Sequence, residues 1–105
     1  MEWVIEKISE WHKARLITVN GTSTAQMIKL MEETGELAAG IARGNKELIK
    51  DSIGDITIVL VAIAELEGFT LEECVKHSYE EIRNRTGHLN EDGIFIKTGD
   101  ENNAN

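Results

Sequence analysis

Two groups of acidic side chains have the spacing of a metal-binding site. Glu33 and Glu36 are three residues apart in the segment "MEETGELAAG", and Asp51 and Asp55 are four apart in and around "DSIGD". Residues at these spacings are neighbours on one face of a helix. Four carboxylates brought together repel one another, and a divalent cation relieves that repulsion. Because every donor is an oxygen, Mg²⁺ is the expected ion, with Mn²⁺ as an alternative.

Two consecutive helices are expected to carry these pairs. The first spans about residues 24–42, with Ser23 as its N-cap, Gln26 completing a capping box and Gly44 ending it. Its apolar residues form one stripe: Met27, Leu30, Met31, Thr34, Leu37, Ala38 and Ile41. The short connection that follows makes the next helix an antiparallel neighbour, so the acidic pairs meet at one level.

The second of these helices is predicted over about residues 46–67. Its run "ITIVLVAIA" is rich in β-branched residues, which leaves a buried strand as the alternative, but no turn signal occurs before Gly68 and the length favours a helix. Residues 56–64 are apolar nearly all round. Such a helix is buried on every side, which indicates a contact between subunits.

The remaining segments complete an all-α prediction. A first helix is expected over residues 2–16, followed by a loop "TVNGTS", and a last helix is expected from Thr70 to about Arg85. "HLNEDGIFIK" carries an Asp-Gly turn signal beside a short alternating strand. We therefore expect an antiparallel four-helix bundle with a short C-terminal β-hairpin, as one domain over residues 1–98, and a disordered tail over 99–105.

The composition excludes several classes of function. The 105 residues carry a net charge of −8 without a basic block, which argues against binding a nucleic-acid polymer. No apolar run reaches the length of about 20 residues that a membrane span requires. The N-terminus is charged from its second residue and does not resemble a signal peptide. Cys74 is the single cysteine, which suits a reducing cytoplasm.

The two acidic motifs resemble those of the MazG-like, all-α nucleoside triphosphate pyrophosphohydrolases. That family has E-x-x-E on one helix and an acidic pair ending in Gly-Asp on the next, matched by Glu33-Thr34-Gly35-Glu36 and Gly54-Asp55. The likeness covers residues 11–97, including "YEEIRNRTG". It departs from the usual E-x-x-D at Ser52, because the acid lies one residue earlier, at Asp51.

The resemblance implies Mg²⁺-dependent hydrolysis of a nucleoside triphosphate, or its deoxy form, to the monophosphate and pyrophosphate. It also implies a homodimer or homotetramer. Glu33, Glu36 and Asp55, assisted by Asp51, would bind the metal, and Glu32 or Glu33 would take a proton from the attacking water. Glu32 taken by itself is equally well explained as a solvated surface carboxylate, because it points away from the apolar stripe of its helix.

Cationic and aromatic side chains are candidates for holding the nucleotide. Lys29 lies on the side of Glu33 and Glu36, where it either binds phosphate or forms a salt bridge. Arg83 and Arg85 match a region where the family has basic residues, with a helix C-terminus as the alternative explanation. The candidates for the base-binding wall are Trp11 first, then Trp3, Gln26 and His12.

Two other functions remain open at this point. Because Ser52 stands where the family pattern has an acid, one alternative is a catalytically degenerate module that binds nucleotides or dimerises without turnover. A purely structural helical dimer with solvated acidic pairs is the other alternative, and it would gain no thermal stability from Mg²⁺ or Mn²⁺.

Overall fold

The chain folds into helices with one small pair of strands, as the sequence predicts. The structure is a computed structural model that describes residues 2–100. The helices and strands are, in chain order, α1 (Glu2–Ala14), α2 (Ile17–Asn20), α3 (Ser23–Arg43), α4 (Lys46–Leu66), α5 (Leu71–Ile82), β1 (Gly87–Leu89) and β2 (Phe95–Lys97). The all-α class is therefore confirmed, while the arrangement as a four-helix bundle stays a prediction.

The short helix α2 corrects one part of the prediction. Residues 18–20 are predicted in a loop, and the first helix is predicted to reach Leu16 rather than end at Ala14. Leu16 has a left-handed backbone with φ of 63°. A left-handed residue cannot continue a right-handed helix, so the chain changes direction there and begins a new turn. This conformation costs free energy for a residue other than glycine, and nothing in the sequence announces it.

The N-cap of α3 lies one residue earlier than predicted. Thr22, not Ser23, is the cap, and its side-chain oxygen accepts a hydrogen bond from the backbone N–H of Ala25 at 3.1 Å. Ser23 lies inside the helix and donates its hydroxyl hydrogen to Glu67 instead. Both residue types satisfy a helix N-terminus, so sequence alone could not separate them.

The connection between α3 and α4 is short, as predicted. Gly44 adopts a left-handed backbone with φ of 63° and ends α3. Asn45 then caps α4, because its side chain accepts a hydrogen bond from the N–H of Leu48 at 3.1 Å. These two residues reverse the chain and place α3 and α4 side by side in opposite directions.

Helix α4 is the centre of the first compact unit, and its helical prediction is confirmed. Helices α1, α2 and α3 all pack against it. The buried apolar side chains belong to it: Val59, Val61, Ala62 and Ala64. The described residues leave its outer side uncovered, because Ile53 is 54% and Leu60 is 37% exposed.

The apolar stripe of α3 is only partly buried, which corrects the predicted packing face. Met27, Met31 and Ile41 are 48%, 61% and 63% exposed, whereas Glu33 and Gly40 are buried. Helix α3 faces α4 with one edge of the stripe and the polar positions beside it. The rest of the stripe lies on the surface of the unit.

The second compact unit begins at Val75, within α5. Thr70 caps α5 as predicted, accepting from the N–H of Glu73 at 3.1 Å, but the helix ends at Ile82 rather than near Arg85. The predicted hairpin is confirmed, with β1 and β2 antiparallel. Its loop is closed by Asn90, whose side chain accepts from two backbone N–H groups of the loop.

The predicted disordered tail and the predicted single domain are not settled by these helices and strands. Residues 101–105 of the predicted tail are outside the described residues, and Asp100, which is described, forms an ion pair with Lys97 at 3.5 Å. The single-domain assignment stays a prediction. Among residues 2–100, no helix combines the length and apolarity needed to cross a membrane.

Candidate functional site

Packing between α3 and α4 brings Glu33 and Asp55 to the same level. At Gly40 the two helices lie so close that an added Cβ would be 3.1 Å from Ile49 Cγ1 and 3.2 Å from Ile49 N. Glu33 lies about two turns before this contact on α3, and Asp55 lies nearly two turns after it on α4. Because the helices are antiparallel, these two displacements run in the same direction, and the carboxylates meet.

Glu33 is a buried carboxyl group in an environment that disfavours its charge. It is 8% exposed, and its Oε2 atom has no hydrogen-bond partner among the described residues. Burial raises the pKa of Glu33 above 4.5, the negative charges of Glu36 and Asp55 raise it further, and Lys29 opposes them. The structure therefore brings three of the four predicted carboxylates close enough to act on one another.

This arrangement has the chemistry of a site for a hard cation. A positive ion beside Glu33 would relieve the repulsion and give its buried oxygen a partner, and carboxylate oxygens are suitable ligands for Mg²⁺ or Mn²⁺. The side chains as placed do not form a finished site: within residues 2–100, no group of three His, Cys, Asp or Glu residues is arranged to hold an ion. Glu36 and Asp55 are exposed, so their side chains are free to reorient toward one.

Asp51 and Ser52 differ in their surroundings. Asp51 is exposed, and its charge is not among those that shift the pKa of Glu33. Ser52 is completely buried, and its hydroxyl oxygen has no hydrogen-bond partner among the described residues. The position that would carry the family's glutamate thus faces inward and holds a small neutral residue, while the metal-binding role of Asp51 stays a prediction.

A cavity of about 470 Å³ connects the carboxylates to an aromatic wall. It is lined by six of the predicted residues, which are Trp11, His12, Gln26, Lys29, Glu33 and Asp55, and also by Ile17, Ala25, Ile58 and Val59. A concave, mainly apolar space with a few charged groups at one end is the usual form of a small-molecule site.

Trp11 is held in place as a wall of this cavity. The guanidinium of Arg15 lies 4.1 Å from the centre of the indole ring, and the ring of His12 meets it edge-on at 5.6 Å. A cation on one ring face and an edge contact restrict the rotation of the indole. The tryptophan therefore offers a preorganised surface on which a planar ring can stack.

Lys29 and Glu32 lie at the edge of the cavity. The Lys29 ammonium is 3.8 Å from the Glu32 carboxylate and 3.9 Å from the Glu33 carboxylate. Lys29 therefore forms salt bridges, which is the predicted alternative to phosphate binding. Lys29 lines the cavity, and Glu32 is exposed outside its lining. A loosely paired lysine at the surface can exchange these carboxylates for a phosphate at small cost.

Besides the exposed Glu32, Glu36 and Asp51, three predicted residues do not line the cavity. Trp3 is 68% exposed on α1. Arg83 and Arg85 belong to the second compact unit, where Arg83 forms an ion pair with Glu80 at 3.1 Å. Their contribution to nucleotide binding stays a prediction.

His12, the last of the predicted candidates for the base-binding wall, is 2% exposed and lines the cavity. Its contribution to binding a base stays a prediction. The available signal was its spacing from Ser9 and Ile8, which puts His12 on the packing face of α1.

Part of the chain is similar to known proteins. The model of the MazG nucleotide pyrophosphohydrolase domain matches residues 21–90. An uncharacterized 18.2 kDa protein from the rep-hol intergenic region of Haemophilus phage HP1 (strain HP1c1) is 42% identical over 65 residues. That alignment covers 62% of this chain and 40% of the phage protein, so the chain spans less than half the length of that relative. No solved structure matches the chain.

The fold and the site define a helical protein with a mainly apolar cavity that is lined by residues of α1, α2, α3 and α4 and carries the carboxylates of Glu33 and Asp55. The matched region covers two thirds of the chain and contains both acidic motifs. The chain belongs to the MazG nucleotide pyrophosphohydrolase domain family.

Proposed function

We propose that the protein hydrolyses a nucleoside or deoxynucleoside triphosphate to the monophosphate and pyrophosphate. The observation that carries this proposal is the shared cavity, whose lining includes Glu33, Asp55 and Lys29 together with Trp11. Triphosphates need charge neutralisation, whereas bases need a stacking surface, and the cavity offers both.

Glu33, Glu36 and Asp55 are the residues that would hold Mg²⁺ or Mn²⁺, with Asp51 as a possible fourth ligand. When bound, the ion neutralises phosphate charge and lowers the pKa of water. Burial and the charges of Glu36 and Asp55 raise the pKa of Glu33, and an ion bound beside it would lower that pKa again.

The chain's own residues perform the remaining tasks. Water attacks the α-phosphorus, Glu33 or Glu32 takes its proton, and the bond to the β-phosphate oxygen breaks to release pyrophosphate. Lys29 leaves its two carboxylate partners to bind a phosphate oxygen, and Trp11 stacks on the base. Arg83 and Arg85 are proposed as further phosphate ligands.

The test is pyrophosphate release from a panel of standard and modified nucleoside triphosphates with Mg²⁺. Glu36→Gln and Asp55→Asn should each lower kcat/KM by about 100-fold or more, because each removes a ligand of the ion. Glu6→Gln, an exposed acid-to-amide change on α1, is the matched control and should leave turnover unchanged. If both site variants turn over normally while folded, the site is assigned wrongly.

A nucleotide-binding module without catalysis is the second candidate. Ser52 favours it, since a buried serine stands where the family pattern has a carboxylate. Calorimetric binding of a nucleotide with Mg²⁺, without pyrophosphate release, would establish this alternative.

We further propose that the protein acts as a homodimer or homotetramer in the cytoplasm. The exposed apolar side chains of α3, Met27, Met31 and Ile41, would be covered by a second copy. Larger exposed apolar surfaces on a folded unit mark interaction sites. The predicted four-helix bundle would then be completed in the assembly, and Cys74, which is free, suits a reducing compartment.

A further inference from the structure

A polar cluster lies between α1 and α4 behind the aromatic wall of the cavity. The hydroxyl of Ser9 donates a hydrogen bond of 2.6 Å to Oε2 of Glu65. His12 follows Ser9 by three residues, so both side chains lie on the face of α1 that packs against α4. The anchored carboxylate of Glu65 and the buried imidazole of His12 therefore both lie where α1 packs against α4.

Two atoms of this cluster lack partners. Within residues 2–100, neither Nδ1 of His12 nor Oε1 of Glu65 has a hydrogen bond, and both atoms are buried. A buried polar atom without a partner costs about 1–3 kcal/mol. Nδ1 of His12 is a ring nitrogen that can carry a hydrogen. Oε1 of Glu65 is a hydrogen-bond acceptor, and the negative charge of Glu65 acts on the His12 ring.

The electrostatic balance leaves His12 neutral at neutral pH. Burial lowers the pKa of His12 below 6.5, and the negative charge of Glu65 raises it by a smaller amount. A neutral imidazole has one N–H donor and one acceptor nitrogen. Which nitrogen carries the hydrogen is set by the partner of the other one.

We propose that Glu65 is a positioning residue that accepts the Nδ1–H of His12 and thereby fixes Nε2 as a hydrogen-bond acceptor for the nucleobase. Ser9 holds the carboxylate in place from the other side. The group that His12 recognises is an N–H of the base edge, either an exocyclic amino group or a ring N–H. This inference rests on the proposed function for its ligand, but the state of His12 is a property of the free protein.

The cluster joins residues from inside and outside the region that the family model matches. Ser9 and His12 lie on α1, outside the family match over residues 21–90, whereas Glu65 lies within it. The carboxylates of the phosphate end come entirely from inside the match. The segment before residue 21 therefore supplies the side chain that reads the base.

The first test measures the tautomer of His12 by ¹⁵N NMR of the imidazole nitrogens in the nucleotide-free protein. His12 should be in the Nδ1–H form, while His77 and His88, which are exposed, serve as internal references. This measurement needs no variant. A dominant Nε2–H form in the unmodified protein would overturn the proposal.

Glu65→Gln gives a sharper version of the same test. The amide oxygen keeps the hydrogen bond from Ser9, so its NH₂ group faces Nδ1 of His12 and makes that nitrogen an acceptor. The tautomer should reverse to Nε2–H. Glu67→Gln is the matched control, because Glu67 accepts a hydrogen bond from Ser23 in an equivalent pair and should leave the His12 signals unchanged. An unchanged tautomer in folded Glu65→Gln contradicts the proposal.

Kinetics then connects the tautomer to the substrate. Glu65→Gln should raise KM for the preferred nucleotide by about tenfold and change kcat by less than about threefold, because an acceptor facing the base becomes a donor. A loss confined to kcat would count against base recognition. If the unmodified protein releases no pyrophosphate, the proposed function fails, whereas the NMR result stands or falls independently.

Discussion

At the scale of single residues, Ser52 is the clearest source of instability. Its hydroxyl is fully buried without a partner among the described residues, whereas Thr34 and Thr57 on the same two helices each donate to a backbone carbonyl one turn earlier. Ser52→Ala should therefore raise the free energy of unfolding by about 1 kcal/mol, measured by urea denaturation. Ser9→Ala is the opposite control, because it removes a hydrogen bond and should destabilise. A destabilised Ser52→Ala protein would mean that the hydroxyl has a partner in solution.

Glu33 gives a residue-scale prediction about pH. Its pKa is raised in the folded state above 4.5, so the folded chain holds the proton more tightly than the unfolded chain. The stabilising contribution is complete below pH 4.5 and is lost as the pH rises through the folded pKa. In EDTA, the urea midpoint of the unmodified protein should fall over this range more steeply than that of Glu33→Gln. Adding Mg²⁺ at pH 7 should raise the urea midpoint of the unmodified protein but not that of Glu33→Gln. Equal pH slopes for the two proteins would show that Glu33 is not the group responsible.

At the scale of the helices, two glycines of α3 make a matched pair. A Cβ at Gly40 would be 3.1 to 3.3 Å from Ile49 and Leu48, one of these contacts being to backbone, whereas a Cβ at Gly35 would meet nothing within 4 Å. Gly40→Ala should destabilise by about 1–3 kcal/mol through overpacking, and Gly35→Ala should stabilise by up to about 1 kcal/mol through helix propensity. Thermal denaturation of both variants without nucleotide is the measurement. Effects of the same sign would show that α3 and α4 are not held together at Gly40.

The same scale shows how much of the fold could be predicted from the sequence. The end of α3 and the start of α5 were predictable because Gly44 and Thr70 act through local geometry. The short helix α2 was not, because it depends on a left-handed Leu16 that only the surrounding structure can impose. The packing face of α3 was only half predicted, since an apolar stripe does not say which of its edges meets a neighbour.

The candidate site also has one part that the sequence predicts and one part that it does not. The acidic residues were predictable from spacings of three and four residues within single helices, which local geometry converts into a common face. The environment of His12 was not, because its partner Glu65 is 53 residues away in the sequence. Pairs that form only on tertiary packing leave no periodic signal in one sequence.

At the scale of the whole molecule, the acidic charge and the exposed apolar residues favour different behaviour. A net charge of −8 keeps copies of the chain apart at long range, whereas the uncovered side of α3 favours association at contact. Salt screens the repulsion within about 10 Å at 0.1 M, and apolar contact is not weakened in this way. Self-association should therefore become stronger as ionic strength rises.

Met31→Lys tests whether the exposed stripe of α3 is the surface that associates. Met31 is 61% exposed near the middle of α3, so the substitution should leave the separate chain folded while placing a charge in the proposed interface. Sedimentation velocity should show a dimer or tetramer for the unmodified protein and a monomer for Met31→Lys. Val19→Lys is the matched control, because Val19 is 63% exposed on α2, outside the stripe, and should retain the assembly. A monomeric unmodified protein, or equal dissociation by both substitutions, would mean that α3 does not form the interface.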